Sequence, residues 1–355
     1  MGVDSPSKDQ KDTPFIWAQG LTRTYKTFSR QPGVWGAVRD LFRGGGDTIT
    51  ALDGFNISIQ EGELVGLIGP NGSGKSTTVK LLCGILAPTA GELQVAGLSP
   101  SRNRREHVRN IGVVFGQRTQ LWWDLAVREA FSLLGTIYGV PDSTVAERIR
   151  QFDEVLGIGD FLGTPVRELS LGQRMRCDIC AALLHAPPLL FLDEPTIGLD
   201  LVAKQRLRAF IKHINETKNT TVILTTHDLD DVETLCSRIL LIDQGQLLFD
   251  GSITDLQAQA PLNRTAVFRF SQPLPASTRD KLQPSEALTC DWSDLDHTPT
   301  LTIQFNPMTR SPGELVGQIA AHAQELGVGL ADLSIHEAPI EELVGHLYRN
   351  SPGWS

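Results

Sequence analysis

The stretch Gly69-Pro70-Asn71-Gly72-Ser73-Gly74-Lys75-Ser76-Thr77 crowds glycines, a lysine and hydroxyls into one short loop. Glycines at these positions let the backbone turn tightly, so that successive N–H groups point inward and form a cradle for an anion. The loop follows the apolar run Val65-Gly66-Leu67-Ile68 and opens a helical pattern over Ser76–Ile85. That strand-to-helix context is the one in which Gly-x-x-x-x-Gly-Lys-Ser binds the phosphates of a nucleotide. The helix start adds its positive end. Lys75 is suited to reach the β- and γ-phosphates, and the Ser76 hydroxyl to hold Mg²⁺.

A second constellation is Leu189-Leu190-Phe191-Leu192-Asp193-Glu194. An apolar strand that ends in two acids carries both carboxylates to the carboxyl edge of a sheet, beside a phosphate loop. Asp193 fits a role as a magnesium ligand through water, and Glu194 a role as the base for an attacking water.

Elements must hold these residues, and their pattern is legible. Ile111–Phe115, Val222–Thr226 and Ile239–Ile242 read as further strands, while Ala126–Tyr138, Val145–Val155, Gly172–Leu184 and Leu201–Asn215 read as helices. Strands alternating with helices predict an α/β domain with a mainly parallel sheet. The expected fold class is therefore α/β, a P-loop NTPase core, followed by a small α+β domain.

With these residues in place, the chain resembles the ATP-binding-cassette (ABC) ATPases over roughly residues 15–251. Tyr25 resembles the aromatic that stacks on adenine, and Gln117, in Phe115-Gly116-Gln117-Arg118, the glutamine that senses Mg²⁺ and the lytic water. Leu169-Ser170-Leu171-Gly172-Gln173 resembles the signature sequence, with Leu171 where the family usually has glycine. Ser170 and Gly172 remain to meet a γ-phosphate. Pro195 through Asp200 resembles the D-loop, and His227 the switch histidine.

The resemblance implies the ligand and the assembly. ATP and Mg²⁺ would be bound by Tyr25, by Gly69 through Thr77, and by Ser170, Gly172, Gln173 and Asp200. Ser76, Gln117 and Asp193 would serve the metal, and Glu194, His227 and Gln117 catalysis. Two cassettes would pair head-to-tail, as a homodimer or a heterodimer, each ATP lying between one phosphate loop and the partner's signature. ATP closing the pair and hydrolysis opening it is a two-state element.

Composition narrows what such a motor serves. The 41 acidic against 32 basic residues give a net charge of -9, which argues against a protein that coats nucleic acid. One cassette without long heptads favours a transporter over ribosome-acting or chromosome-acting ABC proteins. The longest apolar runs are strand-length, short of the ~20 residues of a membrane-spanning helix. Separate transmembrane permease subunits are therefore expected. The expected location is peripheral, on the cytoplasmic face of the inner or plasma membrane. Met1–Pro6 lacks an apolar core of the secretory kind.

The tail Ser334–Leu343, the insertion at Thr27–Thr48 and the Phe115–Arg118 wording are similar to ATPases of ABC-2-type exporters, in the drug or viologen branch. An importer with a regulatory C-terminal domain is the alternative. Expected domains are a polar tail over 1–14, the nucleotide-binding domain over 15–251 and an accessory α+β domain over 252–355. Within the last, Thr265–Phe270, Leu301–Phe305 and Leu330–Glu337 read as strands, and Pro312–Leu326 and Ile340–Tyr348 as helices.

Three features have two readings each. In the insertion at 27–48, Val34, Val38, Leu41 and Phe42 share a helical face flanked by arginines, over 34–43. It either lies on a membrane or partner, or packs on its own domain. Trp122-Trp123 are either anchors for a groove that receives the membrane subunit or core side chains. The run Arg102, Arg104, Arg105, Arg109 is read as a solvated face, with lipid head groups as the alternative. Cys177 and Cys180 read as a packed helical face in a reducing compartment.

Overall fold

The computed structural model describes residues 13–27, 47–116, 118–259, 263–284, 288–295 and 298–349. The insertion helix over 34–43 and Gln117 thus lie outside the described residues. Two long strands come first, β1 (Ile16–Thr27) and β2 (Asp47–Ile59), then β3 (Leu64–Ile68) and helix α1 (Lys75–Leu82). Next are β4 (Ala90–Val95), the short α2 (Arg104–His107) and β5 (Ile111–Phe115). A helical stretch holds α3 (Val127–Tyr138), α4 (Asp142–Leu156) and α5 (Leu171–Leu183). The order continues with β6 (Leu189–Asp193), α6 (Leu201–Lys218), β7 (Thr221–Thr225) and α7 (Leu229–Leu235). A hairpin of β8 (Arg238–Asp243) and β9 (Gln246–Gly251) follows.

Backbone packing separates a unit ending at Ser252 from one beginning at Ile253. In the first, a six-stranded sheet has the order β5-β6-β7-β3-β8-β9. Neighbours are parallel throughout except β9, which is antiparallel to β8. All of β3 and β7, and β6 up to its last residue, are buried. Continuous apolar runs are what a parallel sheet covered on both faces requires. A second, antiparallel sheet, β2-β1-β4, was not read from the sequence. Its strands alternate, with Ile16, Ala18, Ile57 and Ile59 inward, and polar residues between them dilute the pattern.

Observed helix bounds differ in small, explicable ways. α1 stops at Leu82 because Gly84 takes a left-handed backbone, φ 71, directly after the Cys83 cap. α4 starts earlier than Val145, at Asp142, behind Pro141, where a helix start loses no hydrogen bond. The buried face of α5 contains Cys177 and Cys180, and burial pushes the Cys177 thiol up to about 12. Both cysteines are packing residues. Trp122 and Trp123 are 40% and 52% exposed, so the core reading of this pair does not hold. Among the described residues no helix is long and apolar enough to cross a membrane.

The second unit contains α8 (Ile253–Gln259), β10 (Arg264–Phe270), α9 (Ala276–Leu282), β11 (Thr289–Leu295) and β12 (Thr298–Phe305). It ends with α10 (Pro312–Glu325), β13 (Leu330–His336) and α11 (Ile340–Arg349). Its sheet, β11-β12-β10-β13, is wholly antiparallel. Phe268, Phe270, Leu301, Ile303 and Phe305 bury one face with Leu315 and Ile319 of α10. Ser311 starts α10 in a capping box with Glu314, and Pro312 supplies the first turn.

Candidate functional site

The glycine loop is built to approach closely and to bend. Gly72 and Gly74 have φ values of 85° and 112°, a region that side chains with a Cβ rarely enter. A Cβ on Gly69 would lie 2.3 Å from the Ile242 carbonyl, and one on Gly74 2.7 Å from that of Ala51. The loop is braced from behind by the β8–β9 turn, where Gly245 N–H donates to the Ser73 carbonyl at 2.8 Å. Helix α1 begins at Lys75 with no side chain capping its first N–H groups. Unpaired donors at a helix start favour an anion. The Ser73 hydroxyl is buried without a hydrogen-bond partner.

Lys75 lies across this loop, its Nζ donating to the carbonyls of Gly69 and Pro70, the latter at 2.9 Å. Burial pulls its pKa down, while the carboxylates of Glu194 and Asp193 pull it back up. The three groups therefore share one electrostatic site.

Sheet register explains the convergence. Asp193 pairs with Thr225, and Leu67 pairs with Thr225 from the other side. The loops leaving β3, β6 and β7 consequently emerge together at one edge. Thr225 Oγ1 donates to Asp193 Oδ1, a support the sequence reading missed although Thr225-Thr226-His227 was visible. The Glu194 N–H donates to the Thr225 carbonyl at 2.8 Å, and Glu194 takes a positive φ of 53°. Glu194 Oε1 lies 3.2 Å from Nδ1 of His227, whose side chain is 71% exposed.

Gly116 is a second omission. A Cβ there would lie 2.7 Å from the Asp193 carbonyl and 3.3 Å from Glu194 Cβ. The chain leaving β5 thus rests directly on the acidic pair. On the nearby antiparallel sheet, Tyr25 pairs with Ile49 of β2, whose Ala51 touches Gly74. The Arg23 guanidinium sits 4.9 Å above the Tyr25 ring.

The remaining expected residues lie at two helix starts. Ser170 caps α5, accepting from Gln173 N–H at 3.2 Å, while Gln173 Oε1 accepts from Ser170 N–H at 2.9 Å. Gln173 is thus committed to the cap, whereas Ser170 keeps its own O–H as a donor. Gly172 sits next in that first turn, touching Leu199, and Leu171 packs over Gly198. Asp200 caps α6 by accepting from Ala203 N–H at 2.8 Å. Pro70, Asn71, Ser76 and Thr77 stand in or directly after the glycine loop.

A glycine loop between strand and helix, with an acidic strand end beside it in a parallel sheet, defines a P-loop nucleoside-triphosphate-binding protein. The model of the ABC transporter family matches residues 52–197. A probable multidrug ABC transporter ATP-binding protein, YbhF of Escherichia coli (strain K12), is 36% identical over 225 residues, 63% of this chain. The match spans 38% of YbhF's own length. An uncharacterized ABC transporter ATP-binding protein, YhcH of Bacillus subtilis (strain 168), is 30% identical over 64% of this chain and 73% of its own. A solved dimeric ATP-binding cassette, in a post-hydrolysis state bound to ADP and Pi, superposes with a TM-score of 0.58 at 27% identity. That match covers 67% of this chain and 98% of the cassette. The chain belongs to the ABC transporter ATP-binding family.

Proposed function

We propose that this chain binds ATP on the Gly69–Thr77 loop and hydrolyses it, as the nucleotide-binding subunit of an ABC-2-type exporter. The observation that carries the reading is the convergence of Lys75, Asp193, Glu194 and His227 at one sheet edge. Backbone N–H groups of the loop and of α1 take the phosphates, and Lys75 leaves the Gly69 and Pro70 carbonyls for the β- and γ-oxygens. Hard oxygen donors suit Mg²⁺, and Ser76 and Asp193 are such donors on adjoining elements. The ion would neutralise phosphate charge. Glu194 accepts a proton from the attacking water, and His227 holds its carboxylate in place and faces the γ-phosphate. Tyr25 stacks on the base, and Gln117 serves the metal and the lytic water.

A second cassette, in a homodimer or heterodimer, completes each site with Ser170 and Gly172. Asp200 and the rest of the D-loop lie beside them. Separate membrane subunits receive the motion and hold the chain at the membrane surface. The exposed Trp122 and Trp123 are suited to such a contact, with the Arg174 guanidinium 5.3 Å from the Trp123 ring. Export is favoured by the likeness to YbhF, whose name gives a multidrug transporter. The test is Glu194→Gln, expected to retain ATP binding, lose at least about a hundredfold in turnover, and accumulate an ATP-bound dimer on gel filtration. A steady-state ATPase rate equal to the parent's would reject Glu194 as the base.

A further inference from the structure

Asp231 has no accessible surface, and its partners lie on three other segments. Its Oδ1 accepts from Arg208 of α6, with Nε at 2.6 Å and Nη2 at 2.5 Å. Its Oδ2 accepts from Thr196 Oγ1 at 2.5 Å and faces Thr226 Oγ1 at 3.4 Å. Thr196 stands two residues after Glu194, and Thr226 one residue before His227. One carboxylate therefore joins the loop leaving β6 to the loop leaving β7, on either side of the 3.2 Å contact between Glu194 and His227.

A purely stabilising ion pair would not need these hydroxyls. Burying Asp231 beside Arg208 costs desolvation, and buried pairs are often no better than well-packed apolar residues. What the arrangement adds is register between two loops. Glu194 makes that register necessary, because its φ of 53° is unfavourable for a side-chain-bearing residue. Such a conformation persists only where its surroundings over-determine it. The Glu194 N–H is held from β7 by the Thr225 carbonyl. Beyond Pro195, the buried Thr196 is held by Asp231. Asp228, the residue after His227, is fixed in turn by Lys204 at 2.7 Å and by its N–H donating to Thr226 Oγ1 at 2.9 Å.

We propose that Asp231 is a positioning residue, which through Thr196 and Thr226 holds Glu194 and His227 in their working geometry. The proposal rests on the reading of Glu194 and His227 as the hydrolytic pair. Asp231 touches neither nucleotide nor water in this role. Its effect falls on turnover and not on ATP affinity.

The test uses the full chain with Mg²⁺ and ATP. Thr196→Val removes the hydroxyl at nearly constant volume. It should lower kcat about tenfold or more, with KM and the dissociation constant for ATP changed less than about twofold and the thermal midpoint nearly kept. Thr196→Ser should restore most of the rate by restoring the donor. Thr226→Val, whose bond is longer, should give a smaller loss, and the double variant should fall short of the product of the two, because both act through one carboxylate. Glu194→Gln is measured in parallel. If it is inactive while Thr196→Val turns over at the parent rate, the positioning role is wrong. A kcat loss matched by an equal loss of ATP affinity or of folding would also overturn it. If Glu194→Gln itself turns over normally, the hydrolytic reading fails instead.

Discussion

The two units use sheets of opposite kinds, and among the described residues only the first gathers chemistry at an edge. In the first, β5, β6, β7 and β3 run parallel, so the chain leaves all four at the same side. Gly116, Glu194, His227 and the Gly69–Thr77 loop meet there because each follows a strand end. In the second, β11, β12, β10 and β13 alternate in direction. Neighbouring strands end on opposite edges, and the side-chain investment goes into a phenylalanine-rich face against α10. Parallel topology thus converts four sequence-distant loops into one site, whereas the antiparallel unit distributes its strand ends over two edges.

That contrast predicts that a core change in the second unit costs stability without touching the nucleotide. Phe268 is fully buried among Leu301, Ile303 and α10. Phe268→Ala should destabilise its unit by about 3–5 kcal/mol. Thermal melts of the full chain should show a lowered transition for this unit while ATP affinity stays unchanged. A loss of ATP affinity would break the comparison by tying the two units together energetically.

The converse change acts on the site and spares the fold. In Gly69→Ala the new Cβ has no room between the Ile242 carbonyl and the Ser73 side chain. The loop must shift by a substantial fraction of an ångström. ATP affinity measured by calorimetry should fall about a hundredfold, with the second unit's transition unaltered. Affinity equal to the parent's would mean that the loop's close packing is irrelevant to phosphate binding.

Within the first unit, Asp178 of α5 separates fold from chemistry by pH. Its carboxylate is buried, accepting from Thr119 Oγ1 at 2.8 Å and Gln120 N–H at 3.0 Å. Burial raises its pKa from 3.8 to about 6, against the pull of those hydrogen bonds. The folded state therefore holds a proton that the unfolded state has lost. Its stabilisation is complete below pH 3.8 and is lost as pH rises through about 6. Asp178→Asn keeps an acceptor for both donors and removes the charge. It should be more stable than the parent by about 2 kcal/mol at pH 7.5 and nearly equal to it at pH 4, by denaturant titration. A gap independent of pH would refute the buried charge.

Legibility in the sequence follows the same divide between local and non-local causes. The Gly69–Thr77 loop was readable because its function lies in consecutive residues, and β3 and β6 because complete burial leaves unbroken apolar runs. Gln173 was read for its place in a motif, but its side chain closes a helix cap on Ser170. The β2-β1-β4 sheet was missed because its outward residues are polar and its partner strands are far apart in the chain. Thr225 and Gly116 owe their roles to contacts across 30 or more positions, as Thr225 to Asp193 spans 32, and Asp231 reaches Thr196 across 35. No local pattern encodes such contacts. The glycine before Gln117 is plain in the sequence, but only the Asp193 carbonyl 2.7 Å from its would-be Cβ gives it meaning.

Leu171 sharpens the comparison at its finest scale, because it opens α5 directly after Ser170. Its side chain is 37% exposed and lies over Gly198, whose φ is 73°. A Cβ on Gly198 would fall 2.4 Å from Leu171 Cδ2, so the leucine fills the space that glycine leaves. The contact braces the loop of Gly198 from the start of α5, within one chain. A half-exposed apolar contact of this size is worth about 0.7 kcal/mol. If the brace matters to the hydrolytic loop, Leu171→Gly should lower kcat about threefold and leave ATP affinity unchanged. A rise in kcat would reverse the argument, showing that the leucine obstructs the partner's nucleotide more than it steadies its own D-loop.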